Sequence, residues 1–490
     1  MSGAPQRLYT ARQVRELDRV AIEELGIDGY ELMKRAGLAS YRVMRYCFPR
    51  ARRIAVYCGG GNNGGDGYVV ATLALEAGMQ AKLFGVSEAK SGVAKQAVSD
   101  FKTAGGVVAP YREGVPADTE VVVDALLGTG LEQAPAGAYG RAIEEINRAP
   151  CPVIALDIPS GLNADTGKAL EPCIRANATP TFIGRKLGCL TADGPAVTGR
   201  LHFDDLGVPA DVYDRVESTA GLISPEPYAS FVRSRPATAH KGDAGRALIV
   251  GGNHRMPGAP CMSARAAHRS GAGLVYLATR HAPEDMIGNT LESMATRVTM
   301  AADIEPMLAP ADVVAVGPGL GRDDWARTVW KTVLTAAAPL VVDADALYLL
   351  AENPCRREDW ILTPHPGEAA RLLGSTTGVV QSDRVAAVQA LRERYGGVVV
   401  LKGAGTLVLG EGLHVCDLGN PGMASGGMGD VLTGLIAGLR GQGMPAEAAA
   451  CYGVWCHARA GDEAAGRGMA GLTAGDVIDA LQNIVGGPDS

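Results

Sequence analysis

Eleven residues, Asn420 to Asp430, read NPGMASGGMGD and run directly into VLTGLIAGLRG. In the second string Val431, Leu432, Leu435, Ile436 and Leu439 share one helical face. Glycines 422, 426, 427 and 429 therefore stand just ahead of a helix N-terminus. Such a terminus presents unpaired N–H groups and the positive end of the helix dipole, and glycine lets the backbone close on a phosphate there. Asp430 needs a separate reason, because a carboxylate repels a phosphate. It is either a helix cap, worth about 1 kcal/mol, or a general base at the rim of an anion hole, taking a proton from a hydroxyl at the reacting atom. No P-loop string occurs. A hole plus a carboxylate suits attack by, or removal of, a hydroxyl, with backbone N–H groups steadying a transferring phosphoryl group.

Other polar groups of the second half also fall where apolar strings end. Gly317 and Gly319 permit close backbone approach, and Asp343 and Asp345 follow LVV. His365 lies between two prolines, which restrains its backbone, although a lone histidine is more simply structural. The string KGAGT, Lys402 to Thr406, offers a cation, flexible N–H groups and a hydroxyl for a nucleotide; its alternative is a hairpin turn.

The first half carries a second set. Arg52 to Cys58 (RRIAVYC) reads as a buried strand, followed by GGGNNGGDG and the helical string YVVATLALEAG. Gly59, Gly61 and Gly64 satisfy GxGxxG in the strand–turn–helix setting that motif needs. The following strand, AKLFGV, ends without the acid a redox dinucleotide site uses; the nearest is Glu88. The turn also carries Asn62, Asn63 and Asp66, polar enough to hold a ribose, an amide or a cation, or to make Asx turns. Asp124 ends EVVVD, and Asp157 ends VIALD with Ser160 close behind. In open α/β sheets ligands collect outside the carboxyl ends of strands, so these groups are expected to converge. Asn63, Asp124 and Ser160 carry one charge among them, which suits a monovalent cation better than calcium. Lys186, in TPTFIGRKLG, is a second polar contact or a solvated surface lysine.

The elements that must position these groups follow from patterning. Strand, glycine turn and helix alternate through both halves, which predicts α/β folds with mostly parallel sheets. At 490 residues, two or three domains are expected. A 47% apolar and 20% charged composition describes a globular protein, and 65 glycines fit many tight turns. Aromatics at 5% and a net charge of −7 argue against base-stacking platforms and a broad basic surface, so no nucleic-acid partner is expected. The ten cysteines form no CxxC and predict buried free thiols in a reducing compartment. The start lacks a secretory h-region and no apolar run reaches membrane length, so a cytoplasmic protein without a membrane partner is expected. Residues 10–46 read as two helices split near Gly26–Gly29, and helices over 446–464 and 473–483 close the chain. Patterning fades from about Asp211 to Ala239, around Pro225, Pro227 and Pro236. The domains expected are 1–215, a linker at 216–239, and 240–490.

Both halves also resemble known families. GGGNNGGDGYVVA, VDALLGTGL and LDIPSGLNADTG are similar to the NAD(P)H-hydrate epimerase family. HKGDAGRALIVGG, GPGLG, TPHPGE, KGAGT and NPGMASGGMGD resemble the ADP-dependent NAD(P)H-hydrate dehydratases. Their order matches the bifunctional nicotinamide nucleotide repair enzymes. The resemblance implies a Rossmann-like three-layer α/β domain followed by a ribokinase-like α/β domain. The first would interconvert R and S hydrates of NADH and NADPH. Its substrate would lie against Asn62, Asn63, Gly64, Gly65, Asp66, the loop Gly128, Thr129, Gly130, Leu131, Glu132, Gln133 and Ala134, and Asp157, with Asp157 also the acid/base. Asn63, Asp124 and Ser160 would ligate a potassium ion. The second domain would dehydrate the S form coupled to ADP-to-AMP conversion, with Mg2+ accompanying the nucleotide. Ala259, Gly319, His365 and Asp430 would hold the hydrate. Lys402, Gly403, Ala404, Gly405, Thr406 and Gly429 would hold the nucleotide, and Asp430 would activate the hydroxyl. Self-association is a further expectation.

Two other readings compete. A small-molecule kinase fused to a Rossmann-like module shares the second-half chemistry but leaves NNGGDG unexplained. A nucleotide-sensing scaffold would not need polar groups at every strand exit.

Overall fold

The structure is a computed structural model, and it describes residues 6–111, 114–228, 231, 238, 240–282 and 291–486. The chain divides into two compact units, Met1–Gly221 and Leu222–Ser490.

Among the described residues ten strands belong to the first part of the chain: β1 (Arg7–Tyr9), β2 (Arg53–Cys58), β3 (Gln80–Gly85), β4 (Val108–Pro110), β5 (Val121–Ala125), β6 (Val153–Ala155), β7 (Ala178–Phe182), β8 (Arg185–Lys186), β9 (Arg200–Asp204) and β10 (Ala220–Leu222). Seven form a sheet in the order β4-β3-β2-β5-β6-β7-β9, every pair parallel. The chain leaves β2 toward one edge and returns at β5 toward the other, so the topological switch lies between β2 and β5. Alternate residues of β2 feed opposite layers. Ile54, Val56 and Cys58 join a core with Val70, Ala74 and Phe101; Ala55 and Tyr57 join one with Ile143 and Ile146. Burial on both faces, about 1.5–3 kcal/mol for each large aliphatic side chain, makes this a three-layer domain.

Helix α1 (Ala11–Arg19) begins with a reciprocal cap: the Gln13 N–H donates to Thr10 Oγ1 at 3.3 Å, and the Thr10 N–H donates to Gln13 Oε1 at 2.9 Å. Helix α2 (Gly29–Cys47) follows after a π-helical turn. Helix α3 (Asn62–Glu76) starts at the N-cap Gly61, so Asn62, Asn63 and Asp66 are in a helix's opening turns and not in a free loop. Two glycines explain the tight strand-to-helix junction. A Cβ on Gly64 would fall 2.0 Å from the Gly59 carbonyl oxygen, and one on Gly67 2.6 Å from Ala125 Cβ. The GxGxxG string thus serves backbone packing before any ligand is considered.

The second unit carries β11 (Arg246–Val250), β12 (Leu274–Thr279), β13 (Met294–Arg297), β14 (Val313–Val316), β15 (Leu340–Val342), β16 (Trp360–Leu362), β17 (Val398–Leu401), β18 (Thr406–Leu409) and β19 (Leu413–Cys416). Their order is β13-β12-β11-β14-β15-β16-β17-β18-β19. Pairs from β13 to β17 are parallel; β17-β18-β19 is antiparallel. Residues 398–410 are therefore a hairpin, the alternative held open for KGAGT, with residues 402–405 joining its two strands. Helices Gly258–Arg269, Met428–Gly441, Ala446–Ala465 and Ala474–Leu481 pack together over one face, sharing a core with Ala247, Ile249 and Val275.

The stretch taken as unpatterned linker holds β10, which pairs antiparallel with β1, and a 3-10 turn at Glu226–Tyr228. Pro236 lies outside the described residues. All ten cysteines are free, seven of them buried. Among the described residues no helix is long and apolar enough to cross a membrane.

Candidate functional site

The polar strand exits of the N-terminal unit gather at the β2/β5 switch. Asp124, fully buried at the end of β5, accepts from the Ser160 hydroxyl at 2.7 Å and the Ser160 N–H at 2.9 Å. Burial pushes its carboxyl up to about 6 against these hydrogen bonds. Ser160 Oγ also accepts from the Leu127 N–H, and Asn63 Nδ2 donates to the Leu127 carbonyl at 3.0 Å. Asn63 Oδ1 is buried with no partner. A buried acceptor without a donor costs about 1–3 kcal/mol. Asn63 Nδ2 and Ser160 Oγ meet at the Leu127 carbonyl, and Ser160 Oγ reaches Asp124, so the set offers oxygen donors of the kind a hard cation of low charge density takes. Among the described residues no cluster of three His, Cys, Asp or Glu side chains could hold a metal, so a transition-metal ligand set has no counterpart there.

Asp157 sits just past β6 with φ of 66°, a left-handed conformation that Asp tolerates better than most side chains. Its carboxylate accepts from the Phe182 N–H at 3.2 Å and pairs with Lys186. Lys186 is fully buried, not a surface lysine. Its three N–H donors go to Asp157 Oδ1, Thr181 Oγ1 (3.1 Å) and the Phe182 carbonyl (3.1 Å), which uses every donor the ammonium has. Asp66 faces the same group. Its burial, with Asp157 and Asp18 nearby, holds its carboxyl well above the usual range.

The remaining first-half residues divide. Gly128 lies against Asn63: a Cβ there would meet Asn63 Cβ at 3.4 Å. The Leu131 carbonyl accepts from Asn163 at 3.3 Å, and Gly130 lies beside the Arg15 guanidinium. Asn62 is exposed and accepts from the Ser91 hydroxyl at 2.7 Å. Gly65 is turned toward Met33 of α2, its N–H already bonded to the Gly61 carbonyl. Thr129 is half-buried, and Glu132, Gln133 and Ala134 are exposed.

In the second unit the Met428–Gly441 helix starts from Gly427, left-handed with φ of 94°. Asp430 is in its first turn and makes no capping bond, which removes the cap reading. The carboxyl is half-buried, and burial with Asp343 beside it pushes it up to about 7 against the pull of Lys402. Ser263 fastens this turn by donating to the Asp430 carbonyl at 2.8 Å.

Asp343, buried past β15, accepts from Lys402 Nζ at 2.6 Å and from the Thr433 hydroxyl at 2.7 Å. Lys402 Nζ also lies 3.9 Å from Glu368. Burial works against the Lys402 charge, but Asp343 and Glu368 outweigh it and hold the ammonium above its ordinary value. Burial pushes Glu368 up to about 7. A Cβ on Gly429 would sit 3.3 Å from Lys402 Nζ and 3.6 Å from Asp343 Oδ2, so the helix start, the lysine and the aspartate meet.

His365 caps the Pro366–Leu373 helix, its Nδ1 accepting from the Gly367 N–H at 3.0 Å, while Nε2 lies 3.4 Å from Glu368 Oε1. Burial and Lys402 hold its imidazole below the usual range, so it is neutral at pH 7. Gly319 lies against Ala259, a Cβ there meeting Ala259 Cβ at 3.3 Å. Gly403 and Ala404 are exposed at the hairpin tip. Buried Arg384 braces the hairpin by donating to the carbonyls of Leu401 (3.0 Å), Lys402 (3.3 Å) and Gly405 (3.4 Å). The Thr406 hydroxyl donates back to the Gly403 carbonyl at 3.0 Å. Glu368, Thr433, Arg384 and Asp18 were missed in the sequence. Of these only Glu368 had a signal, three residues past His365 in a capping pattern.

Comparison with known proteins bears on both units. Residues 29–188 match the family described as YjeF-related protein N-terminus, and residues 247–483 match the family described as NAD(P)H-hydrate dehydratase. The chain is 45% identical over 485 residues to the bifunctional NAD(P)H-hydrate repair enzyme Nnr of Coxiella burnetii, covering 98% of this chain and 99% of that protein. It is 44% identical over 492 residues to the protein of the same name in Escherichia coli, covering 98% and 94%. A ribokinase-like superfamily protein of Enterococcus faecalis is similar in structure, with 29% identity and a TM-score of 0.50, over 53% of this chain and 93% of that one.

Proposed function

The chain belongs to the family of bifunctional NAD(P)H-hydrate repair enzymes, and we propose that its two units divide the work, the N-terminal one epimerising and the C-terminal one dehydrating. The enzyme returns hydrated NADH and NADPH to use: R and S hydrates interconvert, and the S form loses water in a step coupled to conversion of ADP to AMP. The proposed division assigns 1–215 to epimerisation, 240–490 to dehydration and 216–239 to the join. The observation that carries it is Asp430, a carboxyl poised near neutrality in the first turn of a glycine-led helix beside the Lys402–Asp343 pair.

In the C-terminal unit the hydrate lies against Ala259, Gly319 and His365, its C6 hydroxyl toward Asp430. The nucleotide lies along Lys402, Gly403, Ala404, Gly405, Thr406 and Gly429, with Mg2+ accompanying it. Asp430 takes the hydroxyl proton as the oxygen attacks the terminal phosphoryl group of ADP, and AMP leaves. Free N–H groups of the helix start and the Lys402 ammonium face the charge that develops on the phosphoryl oxygens. The phosphorylated oxygen then departs as phosphate, a far better leaving group than hydroxide. Loss of a C5 proton restores the double bond, and the sum is hydrate plus ADP giving NAD(P)H, AMP and phosphate.

In the N-terminal unit the substrate lies along Asn62 to Asp66, the loop 128–134 and Asp157. C6 carries both nitrogen and oxygen, so the nitrogen lone pair expels hydroxide and water returns to either face. Asp157, held by Lys186, handles the proton. Asn63, Asp124 and Ser160 hold a potassium ion, a reading supported by the unpartnered Asn63 oxygen. When bound, that ion supplies a fixed positive charge near the 128–134 loop. A reducing cytoplasm is the proposed compartment, supported by ten free thiols.

The test is incubation of the full chain with mixed R and S NADH hydrate plus ADP. Recovery of NADH absorbance from both epimers is expected. A persistent R remainder, with only the S share recovered, would refute the epimerase assignment.

A further inference from the structure

Lys402 to Gly405 join β17 to β18, a longer connection than the two-residue loops that close hairpins most tightly. Its shape is set from beneath. Arg384, at the start of the Arg384–Tyr395 helix, is fully buried under the turn. Its Nη2 shares two N–H groups among the carbonyls of Leu401, Lys402 and Gly405, at 3.0, 3.3 and 3.4 Å. Its Nη1 donates to Gln381 Oε1 at 2.8 Å. Gly403 rests against the same group: its φ is 134°, and a Cβ there would meet Nη1 at 2.9 Å. That torsion and that contact together require glycine. Burial pushes the guanidinium down to about 10, which leaves it charged at neutral pH.

Those bonds decide where the backbone points. In a trans amide the C=O and the following N–H project to opposite sides. The Lys402 carbonyl is turned inward to Arg384, so the Gly403 N–H is turned away from it. Gly403 is exposed, and among the described residues no hydrogen bond engages that N–H. The Lys402 ammonium, on the same turn, is already held by Asp343 at 2.6 Å. A fixed backbone N–H with a buried positive charge behind it is a preset donor for an acceptor atom of a nucleotide. The planar fork of an arginine matters here. It carries five N–H donors in a rigid array, whereas a lysine has three on a flexible stem and cannot span Gln381 and three carbonyls at once.

We propose that Arg384 is the positioning residue of the nucleotide site, holding the 402–405 turn in the form that presents the Gly403 N–H to ADP. The inference rests on the placement of the nucleotide along residues 402–406. It gives Arg384 no contact with the hydrate and no part in proton transfer. A preset turn spares the ordering that ADP binding would otherwise impose, so the residue acts on nucleotide affinity and not on the chemical step.

The test uses full-length Arg384→Lys, Gln381→Leu and Gly403→Ala enzymes. Dehydration of purified S hydrate is followed at varied ADP, and ADP binding by calorimetry. Arg384→Lys keeps the charge and loses the fork. It is expected to raise the KM and Kd for ADP about tenfold, with the hydrate KM within about twofold and kcat within about threefold of the parent. Gln381→Leu removes one bond to the guanidinium from a half-buried position and is expected to raise the ADP values about threefold. Epimerisation of R hydrate keeps the parent rate throughout. Urea unfolding followed by tryptophan fluorescence reports whether each variant is folded, all four tryptophans lying in this unit. A purely structural brace would lower stability and either leave both KM values alone or move them together; either result in Arg384→Lys overturns the inference. If Arg384→Lys does not fold, parental ADP affinity in Gln381→Leu overturns it instead. Gly403→Ala tests the placement itself. Parental ADP affinity there removes the nucleotide from the hairpin, whereas a rise there with none in Arg384→Lys removes only the Arg384 role.

Discussion

Replacing Asp430 by Asn should make the enzyme more stable and unable to dehydrate. The carboxyl is raised from 3.8 to about 7 in the folded chain, so the folded state binds its proton more tightly than the unfolded state does. Stability from that group is fully present below the unfolded value and is lost as pH rises through about 7. At pH 8 the loss amounts to about 4 kcal/mol, from roughly three units at 1.36 kcal/mol each, and at pH 5 to less than about 2 kcal/mol. The side chain is half-buried, and solvent screening lowers the pH 8 figure toward about 2 kcal/mol. Asn cannot ionise and escapes the loss. All four tryptophans, Trp325, Trp330, Trp360 and Trp455, lie in the second unit, so urea denaturation followed by tryptophan fluorescence reports on that unit alone. The Asn variant should gain about 2–4 kcal/mol over the parent at pH 8 and much less at pH 5. Its dehydration kcat should fall by about 10²–10⁴, with epimerisation intact. In the parent, dehydration should rise about tenfold between pH 6 and 8 as Asp430 becomes the base. A variant no more stable at pH 8 than the parent, or a dehydration rate flat across that range, would mean that Asp430 is not the strained base described.

Two further outcomes follow from the N-terminal cluster. Asp124→Asn should weaken the potassium dependence of epimerisation while S-hydrate dehydration keeps its rate; an unchanged potassium titration would remove Asp124 as a ligand. Lys186→Met should cost about 3–5 kcal/mol, since it strands a carboxylate beside two other acids, and should abolish epimerisation. The loss should appear as an early transition in circular dichroism that tryptophan fluorescence does not register, and a single unshifted transition would contradict it.

Much of the fold was readable because its signals are local. RRIAVYC, EVVVDA and VIALD are apolar strings that end in glycine or acid, and each is a strand ending at the site. Asp430 was found by its contradiction with the glycines around it. KGAGT left two readings open, a nucleotide contact and a hairpin turn, because VVVL and TLVL are equally apolar on both sides of it; the structure forms the hairpin. β10 went unseen because three residues cannot show a period; its partner β1 lies more than 200 residues earlier. Lys186 could be read from the sequence only as a polar contact or a solvated lysine, for a deeper reason. A lysine in RKLG is ordinary surface sequence until β8 pairs with β1 and its ammonium meets Asp157, Thr181 and Phe182. Its burial arises from long-range register, and no window of neighbouring residues contains it.

The backbone at residue 157 decides how that position can be interrogated. An alanine there would lose the carboxylate and also meet the steric penalty of a torsion its methyl group resists, of order 1 kcal/mol or more. The two deficits would be indistinguishable in an activity assay. Asparagine keeps the shape and accepts the torsion, whereas glycine accepts the torsion and deletes the side chain. Read as a pair, those replacements separate the acid's contribution from that of the bend it stands on.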